Sequence, residues 1–145
     1  MHANEARTQL LAQHERIRWQ LEICIMLAAL LRSGQDVTRE LDEALAQLRT
    51  AFTEHNDTET AIIRKLLHGP AAWGSLLVDR MFEEHVAEHA AIWERMSGPH
   101  DEIAERIDDL AEELDAHMAA EERTFLSPMT LRDDVLRVRT REEAV

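Results

Sequence analysis

Apolar residues recur at alternating steps of three and four residues through four segments of the chain. This spacing is typical of an α-helix that buries one stripe of its surface against neighbouring helices. Between the segments, glycine is followed by proline or by a capping aspartate, a combination that ends one helix and starts the next. The pattern therefore predicts four helices, over residues 4–32, 37–67, 75–96 and 100–126.

The connections between the predicted helices are short, about four to eight residues, which makes sequential helices antiparallel. We expect an all-α protein in which residues 1–128 form an up-down-up-down antiparallel four-helix bundle with a metal site in its core. Residues 129–145 are expected to be a charged tail that can form a short helix. Composition agrees, because 4 Gly and 3 Pro in 145 residues are too few for a turn-rich all-β fold.

The four apolar stripes carry polar residues of almost one kind, histidine and glutamate. Of the 8 histidines in the chain, chance would place roughly one or two at stripe positions, and five are there. At a rise of about 1.5 Å per residue, these polar residues fall in one layer of roughly one to two helical turns. Burial without partners would cost roughly several kcal/mol per group, so they need a compensating partner. The seven residues are His14, His55, Glu59, His85, His89, His117 and Glu121.

Imidazole and carboxylate donors point to first-row transition metal ions, iron foremost, because Mg²⁺ and Ca²⁺ prefer all-oxygen ligands. The single cysteine, Cys24, disfavours a thiolate site or a disulfide framework and is expected to be a buried small hydrophobic residue. Two six-coordinate ions offer twelve positions, of which five imidazoles, two bridging carboxylates and one bridging oxo or hydroxo group fill eleven. One position stays open for a small molecule such as O2, NO or peroxide.

The same residues allow other assignments. A buried salt-bridge network without metal is the structural alternative, although no Lys or Arg occupies the stripes to pair with the acids. Glu122 could take the place of Glu121, and either His85 or His89 could hydrogen-bond a ligand from outside in a six-ligand site. Three histidines off the stripes are predicted to be ordinary surface residues: His2, His68 and His100.

The histidines of the stripes belong to motifs with a defined order along the chain. They are His14 in the first helix, His55-x-x-x-Glu59, His85-x-x-x-His89 and His117-x-x-x-Glu121. In this order the motifs resemble the hemerythrin-like (HHE cation-binding) domain family, over residues 10–128. Two differences stand out. Oxygen-carrying hemerythrins have an Asp five positions after the last His, and many HHE domains have two consecutive acids where this chain has Glu59 and Thr60.

The resemblance implies a four-helix bundle around a non-haem di-iron centre with an oxo or hydroxo bridge. Some members of the family carry or sense O2, and others respond to NO, peroxide or iron level. We therefore expect two iron ions as cofactor and, as the leading function, binding of O2 or a related small ligand for carriage, storage or sensing. The alternatives are a di-iron enzyme acting on peroxide or NO and an iron-responsive regulatory domain.

Charge and hydropathy exclude two classes of binding partner, nucleic acid and membrane. A net charge of -13, with 16 basic residues scattered among acids, argues against nucleic acid. The longest apolar run, residues 23–31, is about half the length that a bilayer crossing needs, and the first residues lack the apolar stretch of a signal peptide. We expect a cytoplasmic protein without a membrane partner. No His follows a Glu by three residues, which disfavours a ferritin-like di-iron site.

Overall fold

The chain is all-helical wherever the structure, a computed structural model, describes it. The described part comprises residues 3–67, 75–124 and 126, without the side chains of 3, 63, 64, 66, 67 and 75–82. Within it, the predicted all-α class is confirmed. The helices are α1 (Ala3–Arg32), α2 (Thr38–Leu67), α3 (Ser75–Met96), α4 (His100–Glu105) and α5 (Ile107–Arg123).

The first three helices begin and end within one residue of their predicted bounds. The glycine signal after α1 acts as expected, because Gly34 adopts a φ of 97°, a conformation that costs glycine little. Two backbone hydrogen bonds then close the helix end. The Gly34 amide donates to the Leu31 carbonyl (3.0 Å) and the Gln35 amide donates to the Leu30 carbonyl (3.1 Å), which satisfies carbonyls that the helix itself leaves unpaired.

The prediction of one continuous helix over 100–126 is wrong, because Arg106 separates α4 from α5. Arg106 has φ -108° and ψ 11°, and its amide donates to both the Glu102 carbonyl (3.2 Å) and the Ile103 carbonyl (3.1 Å). Such a shared hydrogen bond tightens the turn towards 3₁₀ geometry. Periodicity also predicts that the helix continues to residue 126 with Thr124 on its buried stripe. Instead, α5 ends at Arg123 and Thr124 is exposed.

The apolar stripes meet in one core. Within the described part, α1 contacts α2, α4 and α5, α2 contacts α3 and α4, and α3 and α4 each contact α5. The predicted stripes also include Leu66, Val78 and Phe82, whose side chains lie outside the described residues, as does the predicted tail over 129–145. The stripe residues that are buried in the core include Leu10, Ile17, Leu21, Cys24, Leu41, Leu45, Leu48, Phe52, Ile92, Met96, Ile107 and Leu114.

Arginine side chains tie the ends of α1 to the last two helices. Near the start of α1, Arg7 Nε donates to the carbonyl of Leu126 (2.9 Å), three residues beyond α5. At the end of α1, Arg32 Nη1 donates to the carbonyl of Ala104 in α4 (2.8 Å). The start of α1 therefore lies beside the end of α5, and the end of α1 lies beside α4.

The longest apolar run lies in α1 and is divided between core and surface. Cys24 and Ala28 are buried, Ile23 and Ile25 pack partly buried against the core, and Met26 is exposed. Membrane spans are long and apolar on every face. None of the described helices has the length and apolarity to cross a bilayer.

Candidate metal centre

The structure brings all seven predicted ligands together in the core, in two groups that share Glu121. In each group the potential ligand atoms lie within 4.8 Å of one another, so each group could hold a metal ion. We call the first the three-histidine group and the second the two-histidine group. The three-histidine group is Glu59, His85, His89, His117 and Glu121, and the two-histidine group is His14, His55 and Glu121.

Four helices supply these side chains, and three of them supply a pair. Residues four positions apart on a helix point from the same face, one turn apart, so each pair enters the core together. All the residues are buried except His85, whose side chain is 12% exposed. The sources are His14 from α1, His55 and Glu59 from α2, His85 and His89 from α3, and His117 and Glu121 from α5.

In the two-histidine group, both imidazoles direct Nε2 at the same carboxylate oxygen. His14 Nε2 lies 3.3 Å from Glu121 Oε2, and His55 Nε2 lies 3.2 Å from it. The two Nε2 atoms are themselves 3.2 Å apart. At most one proton fits between two such nitrogens, so at least one lone pair points into the centre of the group.

In the three-histidine group, Nε2 atoms again face inward. Glu59 Oε2 lies 2.5 Å from His85 Nε2 and 3.2 Å from His89 Nε2, and His89 Nε2 lies 3.1 Å from His117 Nε2. His117 Nε2 lies against Glu121 Oε1. The two oxygens of Glu121 are thus divided, with Oε1 in the three-histidine group and Oε2 in the two-histidine group.

The other ring nitrogen of His55, Nδ1, has a partner that determines which nitrogen carries the proton. His55 Nδ1 lies 3.1 Å from Gln13 Oε1, and Gln13 Nε2 donates to Thr58 Oγ1 (3.0 Å). Because an amide oxygen only accepts hydrogen bonds, Nδ1 donates and carries the proton. The lone pair of neutral His55 is therefore on Nε2, which is the form that a metal ligand needs.

In two other histidines, a carboxylate lies near Nδ1, the ring nitrogen that faces away from the centre. His117 Nδ1 lies 2.8 Å from Glu88 Oε1, and His14 Nδ1 lies 3.4 Å from Glu122 Oε1. Arg18 Nη2 in turn donates to Glu122 Oε2 (2.9 Å). Glu122 belongs to neither donor group and is held by Arg18, so it is not simply a solvated acid, and Glu121 is the acid that faces both groups.

Sequence reasoning missed Gln13 and Glu88 as partners of the predicted ligands. Each directly precedes a predicted ligand in the chain, His14 and His89 respectively. That adjacency was the available signal, but it places the residue on the flank of the stripe, where most polar side chains are only solvated. Which histidine each would contact depends on how neighbouring helices are rotated.

Burial keeps three of the histidines neutral. It lowers the pKa of His55 and of His85, and it lowers the pKa of His89 to about 3, where charge on His85 and His117 would act in the same direction. Removing an imidazolium from water is costly, so the uncharged ring is favoured. His117 differs, because its contacts with two carboxylates, Glu121 first, outweigh burial and raise its pKa. The neutral imidazoles are available as metal donors, but they do not balance a buried carboxylate.

The two buried carboxylates differ in proton affinity. Burial, and then the adjacent Glu121 carboxylate, raise the pKa of Glu59 well above its ordinary value. Burial acts on Glu121 in the same sense, but contacts with Glu59 and with the histidines, His117 first, outweigh it and lower the pKa of Glu121. Of the two acids, Glu59 therefore holds a proton more tightly than Glu121 does. No lysine or arginine that the structure describes pairs with either of them.

Buried polar atoms in the centre lack hydrogen bonds of good geometry. Among the described residues, both oxygens of Glu59 and Oε1 of Glu121 have no such partner. An uncompensated buried carboxylate is among the costliest groups in a protein interior. A cation bound between the two acids and the imidazoles would compensate them, so the donor set fits a metal ion.

The remaining candidates lie outside both groups. Cys24 is buried, and burial raises the pKa of its thiol to about 11, so it packs as a small hydrophobic residue as predicted. His100 is half-buried, with Nε2 2.6 Å from Asp101 Oδ1. His2 and His68 lie outside the described residues.

Comparison with known proteins gave no relative from which a role could be transferred. No family model, no curated protein and no solved structure matches the chain. The assignment of function therefore depends on the geometry and chemistry of the two donor groups.

Proposed function

We propose that this chain is a hemerythrin-like protein that holds two iron ions and binds O2, or a related small molecule such as NO or peroxide, for carriage, storage or sensing. The observation that carries the proposal is the convergence of seven buried donor residues into two groups that share one carboxylate.

The proposed fold is an antiparallel up-down-up-down four-helix bundle in which α4 and α5 together are the fourth element. Contacts between helices support it, since residue numbers rise in one helix as they fall in the other. Arg16 of α1 pairs with Glu54 of α2, whereas the earlier Gln13 contacts the later Thr58. This topology brings polar layers of the four elements to one height.

Two groups of donors argue for two ions. The three-histidine group would hold one ion through three imidazoles and two carboxylates, and the two-histidine group would hold the other. Glu121 would bridge them, because its two oxygens face different groups. Glu59 would be the second bridge, since its Oε2 also lies 3.7 Å from His55 Nε2. An oxo or hydroxo group would complete the bridged pair.

The two donor groups are unequal, and this inequality predicts where a small molecule binds. With both carboxylates and the solvent-derived bridge shared, the ion beside His14 and His55 would have one protein ligand fewer than its partner. The open coordination position would therefore lie on the two-histidine side. A pair of iron ions, each changing oxidation state by one electron, would supply the two electrons that reversible O2 binding draws on.

A buried salt-bridge network without metal is disfavoured by the protonation of the histidines. Such a network needs imidazolium ions to balance Glu59 and Glu121, but burial lowers the pKa of His55, His85 and His89. Burial also opposes charge on His117, although its contacts with Glu121 and Glu88 outweigh burial and raise its pKa. The Nδ1 partners of His55 and His117 also leave Nε2 as the inward-facing donor atom. Both features favour metal ligation.

The first test is metal analysis of the purified chain together with its near-ultraviolet absorption spectrum. We expect about two irons per chain and the charge-transfer absorption of a bridged ferric pair. The variant His117→Ala should lose iron, and the matched variant His100→Ala, which removes a histidine outside both groups, should keep it. Zinc in place of iron, or full occupancy in His117→Ala, would refute the proposal.

The second test separates a binding protein from an enzyme. The reduced, iron-loaded protein is titrated with O2 and then placed under vacuum. A spectrum that appears with O2 and disappears under vacuum supports reversible binding. Rapid irreversible oxidation with turnover of added peroxide would instead support the di-iron enzyme.

A further inference from the structure

A small cavity of about 150 Å³ opens beside the three-histidine group, between α3 and α5. Its inner wall includes the buried residues His117 and Glu121, and its outer wall includes the exposed Ala120. At about 30 Å³ per water molecule, this volume suits a few waters or a partly hydrated ion. The lining residues are Glu84, His85 and Glu88 from α3, His117, Ala120 and Glu121 from α5, and Thr124 directly after α5.

Negative charge lines this cavity from the surface to the core. Glu84 and Glu88 are exposed at its outer end, and Glu88 Oε1 lies 2.8 Å from His117 Nδ1. At the inner end lies Glu121, which is only 3% exposed and whose Oε1 lacks a hydrogen bond of good geometry from the described residues. A cation would therefore find an acidic group at each depth, while an anion would be repelled.

The lining also indicates which part of the centre the cavity serves. It reaches His85 and His117 of the three-histidine group, and its lining contains neither His14 nor His55. The proposed open coordination position lies on the other side, beside those two histidines. A neutral gas molecule gains little from carboxylates, so charge and position both favour a cation over O2 as the occupant.

We propose that this cavity is the route by which Fe²⁺ reaches the metal centre, with Glu84 and Glu88 as the first protein groups that attract it. The proposal rests on the proposed function, because it assumes that the two donor groups hold iron. Glu84 and Glu88 would offer the ion carboxylate oxygens at the outer end, and His85 and His117 would offer it imidazole nitrogens at the inner end. The side chains of His85 and His89 are 12% and 11% exposed, and of these two His85 lines the cavity.

The test measures the rate of iron uptake by the full, metal-free chain. Fe²⁺ is added without oxygen, and the fraction protected from the chelator ferrozine is followed over time. We expect Glu84→Gln combined with Glu88→Gln to slow uptake at low ionic strength by at least about threefold, and the difference to shrink in high salt. The control combines Glu94→Gln with Glu105→Gln, which changes net charge equally at exposed positions outside the cavity. Equal uptake rates in the test and control variants would overturn the proposal.

A steric variant tests the route without changing charge. Ala120→Leu fills the outer end of the cavity and should slow uptake at every salt concentration, whereas Ala116→Leu, exposed on the same helix but outside the lining, should not. Unchanged uptake in Ala120→Leu, with wild-type protein still reaching about two irons per chain, refutes the route alone. Wild-type protein that takes up no iron at any concentration refutes the proposed function as well.

Discussion

Replacing Glu59 by glutamine tests whether the two buried carboxylates depend on a metal ion. Donor oxygens of Glu59 and Glu121 lie within 4.8 Å of each other. At an effective dielectric constant of about 20, two unit charges at that distance repel by about 3.5 kcal/mol. The metal-free protein avoids part of this cost by retaining a proton, so we expect Glu59→Gln to raise its free energy of unfolding by about 1 to 3 kcal/mol.

The increase in the free energy of unfolding that Glu59→Gln causes should grow as pH rises. Burial and Glu121 raise the pKa of Glu59 in the folded protein above its ordinary value of 4.5. The stability that follows from this raised pKa is complete below the pKa of the unfolded chain and is lost as pH rises through the folded pKa. The advantage of Glu59→Gln over wild type should therefore be larger at about pH 8 than at about pH 6. Urea unfolding followed by circular dichroism, after removal of metal with a chelator, measures both differences.

A lower free energy of unfolding in metal-free Glu59→Gln than in wild type would refute this reasoning. If Glu59 belonged to a salt-bridge network with charged His85 and His89, the glutamine variant would lose about 3 to 5 kcal/mol. Glu43→Gln, at an exposed position on the same helix, is the control and should change stability by less than about 0.5 kcal/mol. In the iron-loaded protein we expect Glu59→Gln to be less stable than wild type, because the variant lacks a proposed iron ligand and so loses binding free energy.

Three further variants address single parts of the centre and the core. His14→Ala should lower iron content from about two to about one per chain, because His14 belongs only to the two-histidine group; unchanged stoichiometry would contradict that grouping. Gln13→Leu should weaken iron binding by about 10- to 100-fold in competition with a chelator, since His55 loses the acceptor for its Nδ1 proton; equal affinity would exclude that role. Phe52→Ala should destabilise the metal-free protein by about 3 to 5 kcal/mol, because Phe52 is fully buried; a loss below about 1 kcal/mol in urea unfolding would contradict its place in the core.

The helices and their buried faces were predictable because the signal is local. Helical periodicity assigns Leu48 and Phe52 to the same face as His55, and all three are buried. The stop signal at Gly34 is equally local, since its left-handed conformation depends on the glycine itself. Rise per residue also predicts height along a helix, which is why the seven donors could be expected at one level.

The break at Arg106 had no such signal. Neither glycine nor proline lies between His100 and Arg123, so local preferences favour an unbroken helix. The tightened turn instead accompanies a tertiary contact two residues earlier, where Arg32 donates to the carbonyl of Ala104. Long-range contacts of this kind determine where a helix is interrupted, and the periodicity of one segment does not contain them.

The division of the donors into groups of three and two histidines also depends on tertiary structure. Periodicity places His85 and His117 at one height, but which imidazoles share a group depends on the rotation of each helix about its own axis. The same holds for Gln13 and Glu88, whose partners lie on other helices. Sequence could therefore predict which residues form the centre, but not how they are divided within it.

The spacing of the last motif becomes understandable from the two oxygens of Glu121. Where oxygen-carrying hemerythrins have an Asp five positions after the histidine, this chain has a Glu four positions after it, on the same helix face as His117. A glutamate side chain is one methylene group longer than an aspartate side chain. Glu121 reaches far enough that Oε1 lies against His117 Nε2 while Oε2 lies 3.3 Å from His14 and 3.2 Å from His55. In the proposed two-iron centre, the longer side chain of Glu121 would therefore let one carboxylate serve both donor groups despite the different spacing.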